Sequence, residues 1–460
     1  MRARTDFCEE FVDKETMRCY KYKHLMLPLS CAGRSLAFLS FVSIFQLWIC
    51  AQASVFPLGV ERGAAGTLPG DQVWPHVSVS SAGGYLVWQG NANEGTPVVS
   101  TRKKSAPPAP GWGIAALRLN SDFTATTGTP FRVNQRLTGD QERPRVAMLK
   151  DGSAAIVWQG PGKLGLDVYA AFIGANGIPL KSDVPVNTYK IESQINPDVA
   201  ALANGNALVV WQSFQEEGGN KAYYGVYAQQ FTPTGAKIGR EFRVNQTILY
   251  NQRTPAVASL ANGTFVIAWV SEQQRFQNSV DVFGRIFDGN GLALGEEFLL
   301  NSTTNLCANP AVVASGEGFT VLWSQKDLEH RDKSWDIVAR SFSSGGAPTG
   351  PEVLVNTFTY GDQFAPKAAA IGSTVVAVWT SLRQDGSWEG VYGRALSADG
   401  QFLSDEFRVN TGKISKQMHP AVGTDGRSSF SVIWTSYIGG AGRFDLFTQK
   451  YGLQNAASPR

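Results

Sequence analysis

The sequence predicts an all-β protein, a seven-bladed propeller of four-stranded blades whose ring is closed by an N-terminal strand. Three observations carry that prediction. A segment running from Pro to Trp recurs seven times at a nearly constant interval, each recurrence is followed by short alternating strand patterns with no helical one, and the last unit lacks one strand for which the start of the chain holds a candidate.

Taken in order, the 460-residue chain opens with a segment that reads as targeting rather than as fold. Ser35–Cys50 is an uncharged, mostly apolar stretch of sixteen residues with Lys23 and Arg34 upstream, followed by Ala51-Gln52-Ala53. Small residues at the first and third positions before a cut are what a signal peptidase accepts, so cleavage is expected after Ala53, with Met26 a candidate for the true start. A membrane anchor is the competing reading, but sixteen residues fall short of the ~20 needed to span a bilayer. A lipoprotein signal, Leu47-Trp48-Ile49-Cys50, has bulky Ile49 where a small residue is expected. Positions 1–53 are therefore assigned to targeting and 54–460 to the propeller. The mature protein is expected to be secreted, periplasmic or on the cell surface, with no membrane span after processing.

The seven copies run Pro75–Trp88, Pro144–Trp158, Pro197–Trp211, Pro255–Trp269, Pro310–Trp323, Pro366–Trp379 and Pro420–Trp434. Successive Trp are 70, 53, 58, 54, 56 and 55 residues apart, the first interval being stretched by a long loop. Each copy gives strand A from the Pro, a Gly-containing turn, and strand B ending in Trp. An alternating strand C follows, such as Asp167–Phe172 or Gly225–Phe231, then a Gly-rich turn and a short strand D ending in Asn, as in Phe131–Asn134, Val184–Asn187 and Phe407–Asn410. Strand B, for example Ala207-Leu208-Val209-Val210-Trp211, is apolar on both faces and must be covered on both. A four-stranded sheet sandwiched between copies of itself is a propeller blade. After Phe444–Tyr451 no final D strand remains, and Val55–Val60 stands where a D strand would, so pairing the two ends removes an open edge.

The PxVAxLxxGxxVVW and EFxVN patterns over about positions 55–452 resemble the β-propeller repeats of secreted and surface-exposed bacterial proteins. The resemblance implies a scaffold or binding module rather than an activity. Signatures of the WD, kelch, sialidase and integrin-type propellers are missing.

Composition narrows the function. With 41 basic and 38 acidic residues the chain carries +3, too balanced for a dedicated nucleic-acid binder, and no nucleic-acid partner is expected. Cys8, Cys19, Cys31 and Cys50 precede position 54, which leaves Cys307 alone and excludes a disulfide framework or a Cys-based zinc site. No metal or other cofactor is expected, HExxH and GxSxG do not occur, and no catalytic residue is assigned. Gly160–Gly165 matches GxGxxG but joins two strands, with no helix to meet a phosphate.

Strand order puts the B–C and D–A connections on one face, and the irregular sequence is there. Its aromatics, Trp112, Tyr223, Tyr224, Trp335, Trp388 and Tyr437, are candidate ligand contacts, since flat rings at a polar mouth are what sugars and peptides stack on; packing between loops is the bland alternative. A Gln stands three residues before six of the Pro: Gln72, Gln141, Gln194, Gln252, Gln363 and Gln417, with Cys307 in the fifth unit. These are expected to ring the inner end of the channel, either coordinating a ligand or capping backbone where one blade hands over to the next, the second being favoured by repetition in nearly every blade. The leading expectation is a secreted, monomeric, non-catalytic propeller that binds a polysaccharide, peptide or partner protein through its loop-rich face. The alternatives are a carbohydrate-active hydrolase or lyase using loop carboxylates such as Glu217, Glu329, Asp332, Asp385 and Glu389, and a purely structural module.

Overall fold

The computed structural model describes residues 54–66, 68–91, 111–126, 129–214, 216, 223–329, 334–412, 415–439 and 443–454. The predicted targeting segment and its cleavage site lie outside the described residues.

Seven antiparallel sheets form seven blades, and no helix occurs among the described residues. The inner strands are Gln72–Ser80, Glu142–Met148, Gln194–Ala201, Gln252–Ser259, Leu306–Ser315, Gln363–Ile371 and Gln417–Thr424. Each begins a few residues before the repeated Pro and contacts the inner strands of the two neighbouring blades, the seventh returning to the first. The second strands, such as Ala207–Phe214 and Phe265–Glu272, are buried on both faces, as their unbroken apolar sequence requires.

Hydrophobic clusters sit between blades rather than within them. One cluster spans each interface: Trp211 packs with Val157 and Phe172 of the preceding blade, Trp269 with Val210 and Val226, Trp379 with Leu322 and Ile337. All seven repeated Trp are fully buried. A large side chain with no solvent contact on either side fixes the spacing of adjacent blades, and its truncation would leave a cavity that neither blade can close alone.

The recurring strand-D signature is a hydrogen-bonding device. Its Asn accepts from an amide near the start of strand C through Oδ1, as in Asn187 with Val168 (2.8 Å) and Asn301 with Val282 (2.8 Å), and donates through Nδ2 to the carbonyl two residues on. The acid that opens the signature reaches the preceding blade. Glu297 accepts from the Gln246 and Thr247 amides at 2.7 and 3.1 Å, and Asp183, Glu241, Glu352, Glu406 and Glu61 do the same to blades 1, 2, 4, 5 and 6. Blade 1 has Pro130 at this position and blade 7 has Ala65 in place of the Asn, so the seam between blades 7 and 1 has neither device in its usual form.

That seam is where the ring closes. Ser54–Pro57 pairs antiparallel with the last strand, Ser54 opposite Gln454 and Pro57 opposite Tyr451, and Arg62–Gly63 continues the pairing opposite Thr448 and Phe447. The closing strand is as the chain ends predict. Phe56 lies across Gly452, its ring 2.5 Å from where a Cβ would stand, so a larger residue there would push the strand away.

Candidate functional site

Every inner strand carries the same irregularity. The register between inner and second strands slips at Val73/His76, Glu142/Arg145, Ile195/Asp198, Arg253/Ala256, Ala308/Ala311, Phe364/Lys367 and Met418/Ala421. The bulged residue just before each Pro is left-handed: Trp74, Arg143, Asn196, Thr254, Asn309, Ala365 and His419 all have φ between 51° and 55°. A residue before proline is sterically steered away from helical conformations, and left-handed backbone costs a further ~1–2 kcal/mol for a residue with a Cβ. Seven such residues at equivalent positions are held by their surroundings, and bulges of this kind re-aim side chains. Part of the hold is visible. The amides of Asn196 and Thr254 donate to Gln159 and Gln212 of the preceding blade at 2.9 and 2.7 Å, those of Arg143 and Ala365 to Gln89 and Ser324 at 3.4 and 3.2 Å.

All seven bulged residues line one central cavity of about 610 Å³, together with five of the seven Pro and inner-strand residues that follow them. One side of its wall is a stack. The Trp74 indole lies 3.7 Å from the His419 imidazole at an interplanar angle of 17°, and the Arg143 guanidinium stands 4.8 Å over the indole. Blades 7 and 2 flank blade 1 on opposite sides, so both faces of Trp74 are covered. Asn196, Thr254 and Asn309 supply amide and hydroxyl groups to the facing wall.

The position after the Pro holds a titratable group in four blades, His76, Arg145, Asp198 and Lys367, and Ala in the other three. Arg145 Nε lies 3.8 Å from Asp198 Oδ1, and Asp198 Oδ2 accepts from the Val257 amide at 3.1 Å. His76 Nδ1 accepts from the Val146 amide at 3.2 Å. Burial, reinforced by Arg145, brings Lys367 down to about 8, and burial with Arg143 nearby brings His419 to about 4. Burial likewise holds His76 well below 6.5 and raises Asp198, although Arg145 opposes the latter. Both imidazoles are thus neutral near pH 7.

The six glutamines do not ring this channel. Gln72, Gln141, Gln194, Gln252, Gln363 and Gln417 are buried inside the blades and are not part of the cavity wall. Gln141, Gln252 and Gln417 accept the indole N–H of Trp158, Trp269 and Trp434 at 3.0, 3.0 and 3.1 Å. Nε2 of Gln194 and of Gln252 donates to the carbonyl three residues back, and that of Gln363 to the carbonyl two back. A buried indole N–H needs an acceptor, and in these three blades the glutamine at the start of the inner strand supplies it. Where Cys307 replaces Gln, Trp323 turns to Gln325 Oε1 at 3.2 Å instead. Cys307 itself is buried, and burial pushes its thiol well up.

The six candidate aromatics belong to blades 1, 3, 5, 6 and 7, and none lines the cavity. Trp388 is 57% exposed with Lys416 Nζ 5.9 Å from its ring, and Tyr223 and Tyr437 are 40% and 39% exposed. Tyr224 packs edge-on against Phe214, while Trp112 and Trp335 are half-buried, their amides bound to Asp140 and Asp362. Glu217 and Asp332 lie outside the described residues. Asp385 caps the Ser387 amide at 3.0 Å and Glu389 lies 3.9 Å from Lys416, so neither faces the cavity, and exposed Glu329 is not part of its wall. No group of three or more His, Cys, Asp or Glu among the described residues could hold a metal ion.

No protein-family model matches the sequence, and no curated protein aligns with it. Among solved structures, a protein of unknown function from Dyadobacter fermentans DSM 18053 superposes with a TM-score of 0.51 at 12% identity, over 70% of this chain and 97% of that one. The polysaccharide lyase Uly1 gives 0.46 at 11% identity over 87% and 100%, and the α-L-arabinofuranosidase arb93a from Fusarium graminearum gives 0.46 at 11% over 75% and 98%. At such identities the first of these likenesses is one of fold alone, and the chain is a seven-bladed β-propeller.

Proposed function

We propose that the protein is a secreted, non-catalytic β-propeller that binds a carbohydrate-type ligand in its central cavity, entered from the loop-rich face. The observation that carries this reading is the ring of seven strained, left-handed residues whose side chains differ from blade to blade while the backbone beneath them repeats. Strain concentrated at one cavity, on positions that vary chemically inside an otherwise uniform frame, is what a recognition surface on a scaffold looks like. Secretion is supported by the apolar Ser35–Cys50 segment and the small residues Ala51 and Ala53 that follow it.

A glycosidase of the two-carboxylate type needs an acid and a second carboxylate facing across the bond. The described cavity wall holds Asp198 alone, already engaged by Arg145 and Val257. The test is a glycan array read with the wild-type protein and an Asn196→Ala/Thr254→Val double variant, with Asp198→Asn assayed for turnover. Retention lost in the double variant is the expected result. Turnover of any retained glycan that vanishes in Asp198→Asn while retention persists would replace the binding function with a catalytic one.

A further inference from the structure

The cavity's charge is uncompensated. Its wall holds Arg143, Arg145 and Lys367 against the single carboxylate of Asp198, and that carboxylate is taken by Arg145 and the Val257 amide. The Arg143 guanidinium covers Trp74 and forms no ion pair, and Lys367 makes no hydrogen bond and no ion pair among the described residues. Cations withdrawn from water without partners are costly, and the cost is recovered when an anion arrives. The two half-buried imidazoles are neutral and offset nothing.

Two features define what accompanies the anion. Both faces of Trp74 are occupied, so the indole is no stacking platform for a neutral sugar ring, and discrimination falls to charge and hydrogen bonds. In the three blades between those of Arg145 and Lys367, Asn196, Thr254 and Asn309 present groups suited to hydroxyls, and Thr254 Oγ1 and His419 Nδ1 are buried without partners. A volume of about 610 Å³ exceeds what an inorganic ion fills and suits one or two hydroxylated rings.

We propose that the cavity is a site for a sugar acid, its carboxylate held by the Arg145 and Lys367 pair and its hydroxyls by Asn196, Thr254 and Asn309. This rests on the binding function above and specifies its ligand. Charge-assisted bonds to a carboxylate in a desolvated pocket are about twice as strong as neutral ones, which makes the acid group the determinant of selection. Arg145 is doubly suited, because its guanidinium is always charged and, with Nε beside Asp198 and Nη1 donating to the Pro144 carbonyl at 2.9 Å, its Nη2 is left free for a ligand.

The experiment is titration calorimetry of the purified protein with D-glucuronate, D-galacturonate, D-glucose and inorganic sulfate at 50 and 500 mM NaCl. At least one uronate is expected to bind 30-fold or more tighter than glucose and sulfate, and about 10-fold weaker at high salt. Lys367→Met is expected to lower uronate affinity at least 10-fold while remaining folded by circular dichroism, with Lys367→Arg retaining most of it. Equal affinity for uronate and glucose overturns the acid determinant and leaves the binding function standing. Sulfate binding as tightly as the uronates overturns the sugar component. Unchanged uronate affinity in folded Lys367→Met and Arg145→Met overturns the assigned residues. Retention of no saccharide by array or calorimetry overturns this proposal together with the function it rests on.

Discussion

Lys367→Met should make the protein more stable. The ammonium lines the cavity within electrostatic reach of Arg145 and Arg143, with Asp198 the one attractive carboxylate, and burial is the largest cause of its lowered pKa. Moving a lysine from 10.5 to about 8 corresponds to about 3 kcal/mol of stability lost at neutral pH. Methionine keeps the stem and removes the charge; some attraction to Asp198 goes with it, so a net gain of about 1–3 kcal/mol is expected. The pH dependence has a definite sign. Between 8 and 10.5 the unfolded chain keeps the Lys367 proton and the folded one sheds it, so wild-type stability rises with pH across that window. The advantage of the variant should therefore be fully present below pH 8 and about half gone by pH 9.5. Urea denaturation of both proteins at pH 7 and 9.5 measures it. A variant less stable than wild type at pH 7 by more than about 1 kcal/mol, or an advantage independent of pH, would refute the reasoning, because the lysine would then be a structural group.

Four further outcomes follow from particular contacts. His419, held at about 4 against an ordinary 6.5, binds fewer protons folded than unfolded in that interval, so it should cost the wild type about 2 kcal/mol between pH 7.5 and 5, an acid loss that His419→Gln should lack in paired denaturation curves. Trp269→Phe should destabilise more than Trp211→Phe by about 1 kcal/mol, since Trp269 donates to Gln252 whereas the Trp211 N–H has no partner; equal losses by calorimetry would remove the hydrogen bond from the account. Glu297→Ala frees the Gln246 and Thr247 amides and should cost about 1–3 kcal/mol, visible as a lower urea midpoint at unchanged slope. Deleting Ser54–Val60 strips the pairing from Tyr451–Gln454 and exposes a strand edge, so a lower Tm and concentration-dependent association in light scattering are expected; a truncated protein that melts and elutes like the intact one contradicts ring closure by this segment.

The fold is legible in the sequence because a propeller writes one instruction seven times. Pro, Trp and Asn recur at fixed offsets, and each has a single local role, the Pro following the bulge, the Trp filling an interface and the Asn closing strand D on strand C. The complementary ends are equally readable, because a missing strand at one terminus has to be supplied from somewhere. The glutamines show how repetition can mislead about place. Their recurrence is real, but they are buried inside the blades, where three of them accept the indole N–H of their own blade, and no offset in sequence shows whether an inner-strand side chain turns toward the channel or toward Trp158.

The cavity residues are hidden for a related reason: the long loops carry the conspicuous irregular sequence, while the site occupies two positions inside the most regular part of the chain. Immediately before the seven Pro stand Trp, Arg, Asn, Thr, Asn, Ala and His, and immediately after them His, Arg, Asp, Ala, Ala, Lys and Ala. Variation at those two positions, flanked by repetition, is the signal that could have found them. The bulge explains why they are free to vary. Their backbone is pinned by the Pro, by the ladder on either side and, in four blades, by a polar side chain of the preceding blade, so the residue's own side chain is not needed to hold the turn. A scaffold built this way separates stability from recognition. Lys367 can sit uncompensated in the cavity because seven Trp-filled interfaces elsewhere keep the ring closed, and the energy withheld from folding there is what an incoming carboxylate can recover on binding.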